Sequence, residues 1–406
     1  MKLGQIWDVV SITPSPLVLD SRARKLYKSA SNQGFSSHII SNFGKDSEFS
    51  DKSQAPITHS NIPHHGTRND SLIKRIWKFY KKQDNSFINI LFLPLLIFGY
   101  IVRILYINFF RIKFFRCRVL IIHEAFFLPI AFIQKIIFKT QIIVDVHDDY
   151  RNIISKQNST IFHRLFKNLF DESCRRILYK IASRRITVSF SLAEELKKVY
   201  YKDFVVIRNI NSFFLENKQL LQKDLFRSKR PENSIYRGIF IGNNKNSLNL
   251  DWLYEDFWDG QNFEFNFFGH GYDSSKLVHN DRNIRFHPAI DFAHDSFNFD
   301  NFDFGFIPLN IRDESVKYAL PNGFFTLVHA KLPILMPNII ELDSFNKKYN
   351  VGMVNEFVSA RQVYDDLNIL VRNASNLSYK KNDPIKIQNW NVEEKIFIKL
   401  LNSLLK

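Results

Sequence analysis

Five residues able to do chemistry, Ser11, His123, His147, Ser189 and Asn209, each stand where an apolar run gives way to polar residues. One of them keeps charged company. "QIIVDVHDD" passes from apolar residues to Asp145, His147, Asp148 and Asp149. An imidazole there can exchange a proton near neutral pH or orient a polar group; it can equally be a structural histidine at a strand end. A second set is built on glycine. "IGNNK" carries Gly242, Asn243 and Lys245; "FFGHGYD" carries Gly269 and Gly271; "KYALPNGFFT" carries Lys317, Pro321, Asn322, Gly323 and Thr326. Glycine at such places lets another group come close to the backbone, although a lone Gly-x-Gly is a weak signal. Lys245 and Lys317 offer charge to an anion or are solvated side chains. His59, His64 and His65 have no fixed carboxylate or cysteine partner, so a solvated loop is expected there and no metal site.

These residues need a frame that sets strand ends side by side. The sequence supplies one as an alternation. "LGQIWDVVSI" reads as a strand. Asp20 to Asn32 reads as a helix, with Asp20 at the cap and Ala23, Leu26, Tyr27 and Ala30 on one face. Arg22, near that helix's start, either contacts an anionic ligand or pairs with Asp20. "FSSHIIS", "RVLIIH", "QIIVDVHDD", "RRITVSFS" and "DFVVIRNIN" follow as strands. "EAFFLPIAFIQKIIF", a charged stretch to about Ser183, and "LAEELKKVY" are helices, while residues 44–70 form an irregular excursion. From Ile235 a second series begins, with strands in "YRGIFIGNN", "FEFNFFGHGYD", "NIRFHPAI", "FDFGFIPLN" and "LPILMP". Its helices are "LNLDWLYEDFWDG", "GFFTLVHA", "VYDDLNILVRNAS" and the closing "VEEKIFIKLLNSLL". Such alternation predicts an α/β protein with two doubly wound, Rossmann-like parallel sheets, whose functional residues gather at the carboxyl ends of strands. The domains are read as 1–209 and 235–385, with a polar linker at 210–234 and a final helix at 386–406 packing back on the first domain.

The 406 residues, 45% of them hydrophobic, suffice for two cores. Two cysteines far apart exclude a disulfide framework and fit a reducing compartment. "MKLGQIWDVVSITPSP" carries no long apolar core of the signal-peptide kind. The 41 phenylalanines are a bias that composition alone attributes to AT-rich codon usage. The net charge of +16 is unevenly placed: residues 71–200 hold 23 Lys/Arg against 9 Asp/Glu, and residues 236–385 hold 14 against 19. One basic domain beside an acidic one points to a polyanionic partner for the first, nucleic acid or anionic membrane. No nucleic-acid recognition motif appears, and the basic residues interleave with aliphatic runs. "SFINILFLPLLIFGYIV" (86–102) is at the lower limit for spanning a bilayer, contains Pro94 and Gly99, and has basic flanks. An interfacial helix is favoured over a spanning or a buried one, so residues 71–118 are expected to meet an anionic membrane surface.

Four segments in register resemble the GT-B glycosyltransferases, in particular the retaining group 1, family 4-like enzymes that build bacterial surface polysaccharides. They are "DSRARKLYKSASNQGFSSHII", "VDVHDD", "ITVSFSLAEELKKVYYKDFVVIRN" and "YALPNGFFTLVHAKLPIL". The order and spacing agree through nearly the whole chain.

The resemblance implies two domains facing a cleft that holds a nucleotide-diphosphate sugar as co-substrate, with no cofactor or metal. It implies transfer to a lipid-linked or cell-surface glycan by a protein of the cytoplasm, peripheral on the inner face of the cell membrane. Donor binding would fall on Gly242, Asn243, Lys245, Gly269, Gly271, Lys317, Pro321, Asn322, Gly323 and Thr326, acceptor binding on Asp20 and Arg22, and the catalytic role on His147, which in the resembled enzymes faces the donor sugar. Asn322 would cap a helix aimed at the diphosphate, and Gly323 would let the backbone approach it. The departures are specific: the motif's lysine falls on Gly323, its ribose-binding glutamate on Thr326, and the partner glutamate on Tyr318. Loss of the glutamate pair keeps open a non-catalytic protein of the same fold that binds a glycan or nucleotide or scaffolds a partner.

Overall fold

The computed structural model describes residues 5–14, 20–42, 59–62, 101, 104–105, 107–108, 112, 115–147, 161–210, 234–245, 247–258, 261–272, 283–290, 297–374, 377 and 389–406. They fall into two units. One comprises Met1–Val188, Leu192–Ile207 and Glu394–Lys406; the other comprises Ser189–Ser191 and Arg208–Glu393. The expected membrane-facing stretch lies outside the described residues throughout 71–100 and at most positions up to 114. So do His64, His65, Asp148, Asp149 and the linker over 211–233. Among the described residues no helix is long and apolar enough to cross a membrane.

The first unit is built on β1 (Ile6–Thr13), β2 (Ser37–Asn42), β3 (His59–Ile62), β4 (Arg116–Ile122), β5 (Gln141–Val146), β6 (Arg184–Thr187) and β7 (Val205–Val206). They pair in parallel in the order β3-β2-β1-β4-β5-β6-β7. Parallel strands covered on both faces must be apolar on both, which is why "VLII" and "IIV" are unbroken runs. The helices are α1 (Ser21–Asn32), α2 (Leu128–Ile137), α3 (Ile161–Ile181) and α4 (Phe190–Tyr200). Asp20 starts α1 by accepting from the Ala23 N–H at 2.9 Å, and Ala23, Leu26, Tyr27 and Ala30 are buried beneath it. One expectation fails here: within the supposedly irregular 44–70, His59–Ile62 adds β3 to the edge of the sheet against β2. A polar "HSNI" lacks the alternation that marks a strand, but backbone pairing needs none.

The second unit is built on β8 (Tyr236–Ile241), β9 (Phe263–Phe268), β10 (Ile284–His287), β11 (Phe304–Phe306), β12 (Ile334–Met336) and β13 (Gly352–Val354), parallel in the order β10-β9-β8-β11-β12-β13. Its helices are α5 (Asn322–His329), α6 (Ile340–Tyr349) and α7 (Ala360–Arg372), and α8 (Trp390–Leu405) ends the chain, its Glu394–Lys406 portion counted with the first unit. The period-2 pleat of β9 turns Phe263, Phe265 and Phe267 to one face, where they pack with Trp252, Trp258, Phe304 and Phe306. Ring centroids such as Trp258–Phe265 at 4.8 Å and Phe267–Phe306 at 5.2 Å meet edge to face. The phenylalanine bias therefore has a physical use that composition did not suggest.

Two expectations are corrected. "LNLDWLYEDFWDG" is not a helix but two 3₁₀ turns, Asp251–Tyr254 and Asp256–Trp258. The indole N–H groups of Trp252 and Trp258 donate to the Asn249 and Trp252 carbonyls, each at 2.9 Å, and so hold the tighter winding. In addition, α6 and β13 form from "NIIELDSFNKKYNVGMV", where no element was expected; Leu342, Phe345 and Tyr349 are the buried stripe of α6.

Candidate functional site

In the first sheet β1 has β2 on one side and β4 on the other, so the chain leaves their carboxyl ends in opposite directions. That reversal opens a crevice at the strand ends. Ser11 stands on β1 beside Ile121, and His123 follows β4 with its N–H on the Ile12 carbonyl at 3.2 Å. The two side chains meet: Ser11 Oγ lies 2.9 Å from His123 Nε2. Next to them β5 delivers Asp145 and, just past its end, His147. Asp145 Oδ2 accepts from Arg22 Nε at 2.7 Å and from His147 Nε2 at 2.9 Å, and lies 3.2 Å from His123 Nδ1. Its Oδ1 accepts from Arg22 Nε at 3.0 Å and Nη2 at 2.8 Å. Arg22 Nη1 donates to the Ile207 carbonyl at 2.5 Å. A small cavity lined in part by His123, Glu124, Asp145, Arg175 and Tyr179 adjoins this cluster.

Burial alone would raise the Asp145 carboxyl. The Arg22 charge, then that of His147 and the hydrogen bonds from both imidazoles, reverse this and hold it well below the usual carboxylate range. Burial alone would lower His147; the Asp145 charge and hydrogen bond outweigh it and raise the imidazole above its ordinary value. Asp20 is lowered too: its burial is offset by His123, the Ala23 N–H and the Thr13 hydroxyl, which donates to Oδ2 at 2.5 Å. Within the first unit, then, two carboxylates face one guanidinium and two imidazoles.

Arg22 and Asp20 were expected to hold an acceptor, with a pair between the two as the alternative for Arg22. Arg22 is 2% exposed, and its guanidinium pairs with Asp145 and donates to the Ile207 carbonyl. Asp20 caps α1 and accepts from Thr13. His147 keeps the expected place, at the end of β5 with a quarter of its side chain exposed. Its companions Ser11, His123 and Asp145 were legible as strand-end residues but not as a cluster. The signal for the cluster was Asp145 itself, a carboxylate inside an apolar parallel strand, which burial obliges to find a cation. No metal was expected, yet His123, Asp145 and His147 bring ligand atoms within 4.8 Å of one another, the one such group among the described residues.

The second unit gathers most of the glycine set. The turns after β8 and β9 are bound together: Asn243 Oδ1 accepts from the His270 N–H at 3.0 Å, and Asn244 Nδ2 donates to the Gly271 carbonyl at 2.9 Å. A Cβ on Gly269 would lie 2.1 Å from the Gly242 carbonyl oxygen, so this glycine is required by its neighbouring turn. Gly271 has φ +84°, the left-handed region where glycine is at ease. A Cβ on Gly323 would lie 2.3 Å from the Ile241 carbonyl oxygen. The first turn of α5 is thus pressed onto the end of β8, beside Gly242, and Gly323 serves that contact.

One expectation for α5 changes. Asn322 is the first helical residue and not the cap; that place belongs to Pro321, and no side chain caps the helix. Pro at this point presets the backbone (φ −63°, ψ 140°) for entry into the helix. Gly323 approaches the Ile241 carbonyl. Thr326 is 1% exposed and its hydroxyl donates back to the Asn322 carbonyl at 3.3 Å, so it is turned into its own helix. Lys245 is exposed; Lys317 is exposed too, 4.0 Å from Glu314, with its ammonium 5.6 Å from the Tyr318 ring centre.

No protein-family model matches the chain, and no curated protein matches it by sequence. Solved structures match it in fold. The sucrose-phosphate synthase of Thermosynechococcus elongatus does so with a TM-score of 0.62 at 10% identity, over 98% of this chain and 99% of its own. A glycosyltransferase from Rickettsia africae ESF-5 gives 0.59 at 13%, over 99% of each chain. HepE of Anabaena, crystallised in complex with UDP-glucose, gives 0.57 at 8%, over 98% of this chain and 100% of its own. At these identities the likeness is one of fold, and with two parallel doubly wound sheets it extends over nearly the whole length: the chain has the GT-B fold.

Proposed function

We propose that the chain is a glycosyltransferase that moves a sugar from a nucleotide-diphosphate donor to a lipid-linked or cell-surface polysaccharide, with retention at the anomeric carbon. One observation carries this reading: the N-terminus of α5, capped by no side chain, lies against the carboxyl end of β8 in a fold shared with HepE, a protein crystallised with UDP-glucose. A helix N-terminus presents backbone N–H groups and partial positive charge, which suit a diphosphate. Lys245 and Lys317 add mobile charge from flanking loops. In the resembled enzymes the leaving diphosphate departs on the face of attack, and positive charge on it lowers the barrier. His147 takes the donor-facing role of the resembled histidine. The nucleotide sugar is the co-substrate, and no further cofactor belongs to this reading.

The same reading places the protein in the cytoplasm, peripheral on the inner face of the cell membrane, through the basic segment 71–118. The charge distribution supports it, as do Phe132, Ile136 and Ile137, exposed on α2 around Lys135.

Thr326 favours a second reading. With a buried hydroxyl where the resembled enzymes carry a glutamate, the chain would bind a nucleotide or glycan without turning it over. Calorimetric titration of UDP, GDP and ADP, followed by release of labelled sugar from the matching nucleotide sugars, separates the two. Binding with sugar transfer that disappears in His147→Ala supports the enzyme; binding without transfer supports the second reading. No binding of any nucleotide diphosphate sinks the enzyme and the nucleotide-binding form of the second reading.

A further inference from the structure

We infer that Ser11, His123 and Asp145 act as positioning residues: they fix the proton on Nε2 of His147 and leave its Nδ1 as the nitrogen offered to a hydroxyl-bearing ligand. The argument is one of donors and acceptors. Arg22 can only donate, and it donates to both oxygens of Asp145, at 2.7 to 3.0 Å. Asp145 is therefore an ionised acceptor. His147 Nε2 and His123 Nδ1 lie 3.3 Å apart, but each is nearer to Asp145 Oδ2, at 2.9 and 3.2 Å. Both nitrogens accordingly point their protons at the shared oxygen. With Nδ1 of His123 protonated, its Nε2 is an acceptor, and the Ser11 hydroxyl donates to it at 2.9 Å. This tautomer of His123 is the less favoured one in water, so its presence requires both partners. His147, protonated at Nε2, has only Nδ1 left, and that atom has no hydrogen-bond partner among the described residues.

The same three ligand atoms are close enough for a divalent ion. Arg22 argues against one. Its guanidinium already supplies positive charge to both oxygens of Asp145, and a metal would have to displace both imidazole protons beside that charge. Asp20, the second carboxylate near this cluster, also acts on His147 and is held as the α1 cap.

That the ligand's hydroxyl belongs to a sugar rests on the proposed function; the tautomers do not. The test uses the full chain with ¹⁵N-labelled histidine, and long-range ¹H–¹⁵N spectra taken as pH is raised from about 7 to about 9.5, the tautomers being read once the spectra stop changing with pH. His147→Gln, at a half-buried position, assigns its resonances. The expected result is His123 protonated at Nδ1 and bare at Nε2, with His147 protonated at Nε2 and bare at Nδ1. Ser11→Ala is expected to move the His123 Nε2 resonance and to let its tautomers mix. Should that variant fail to fold, the wild-type tautomers decide alone. His123 protonated at Nε2, or one equivalent of zinc bound from zinc chloride with loss of both inward protons, overturns the inference. Sugar transfer is scored separately, so a chain with these tautomers and no transfer refutes the function and not the positioning.

Discussion

Arg22 and Asp145, 123 residues apart in the sequence, form a buried ion pair in which two guanidinium nitrogens contact both carboxylate oxygens. Such a pair is weak evidence for net stability, because both ions were taken from water. Removing one partner is another matter, since the remaining charge stays buried. Arg22→Met is expected to destabilise the first unit by about 3–5 kcal/mol. Arg22→Met with Asp145→Leu is expected to cost less than the sum of the two single changes. Urea unfolding of the four chains measures both; a loss under about 1 kcal/mol for Arg22→Met would show that the pair is solvated and the cluster loose.

Stability should depend on pH at both ends of this cluster. Asp145 is held well below 3.8 in the folded chain, so its contribution is present above that value and is lost as pH falls through the folded value. His147 is raised above 6.5, so its contribution is full below 6.5 and disappears as pH rises through the folded value. The gap in unfolding free energy between wild type and His147→Gln is therefore expected to be larger at about pH 6 than at about pH 9. A gap that widens with pH contradicts the charge arrangement around Asp145.

Gly269 and Gly323 make a prediction that separates packing from binding. Each sits where a Cβ would enter a backbone carbonyl oxygen, at 2.1 Å from Gly242 and 2.3 Å from Ile241, and backbone cannot step aside as a flexible side chain can. Gly269→Ala and Gly323→Ala are each expected to cost about 1–3 kcal/mol, read as a lower midpoint of thermal unfolding without any nucleotide present. If stability is unchanged and only nucleotide binding suffers, the glycines exist for the ligand and not for the junction of β8 with α5.

Thr326 sharpens the question of donor recognition. Its hydroxyl is buried and bonded within α5, so Thr326→Val is expected to leave nucleotide diphosphate affinity within about twofold, since no ligand hydrogen bond is lost. The stability change should stay within about 1 kcal/mol. A loss of affinity of tenfold or more would return the hydroxyl to the ribose-contacting role that the motif implied.

The frame was easier to read than the site, for a physical reason. Strands buried on both faces are apolar runs, and a helix start is a local affair: Asp20 and the stripe Ala23, Leu26, Tyr27 and Ala30 declared α1 within a dozen residues. The cluster joins Ser11 to His123 and Arg22 to Asp145 across more than a hundred residues, and only the sheet order puts them together. The cap of α5 was misplaced for a different reason. It was carried over from a motif to Asn322, and a one-residue difference in where the helix begins, set by Pro321, moved it. The twin 3₁₀ turns at Trp252 and Trp258 were read as a helix because apolar spacing cannot distinguish the two windings once indoles bond to nearby carbonyls.

Lys245 and Lys317 carry the electrostatic part of the proposal. Both are exposed, and Lys317 is only loosely paired, with Glu314 at 4.0 Å. Exposed ammonium groups attract an anion weakly and are screened by salt. Lys245→Gln and Lys317→Gln are each expected to weaken binding of a nucleotide diphosphate by about two- to fivefold at low ionic strength. The effect should shrink once the screening length falls to about 8 Å at 0.15 M salt. The corresponding nucleoside, which lacks the diphosphate, should bind both variants as it binds wild type. Equal losses for nucleoside and nucleotide would mean that these lysines shape the second unit and do not meet phosphate; a loss for the nucleotide that survives high salt would mean that the ammonium groups close onto the ligand and are buried with it.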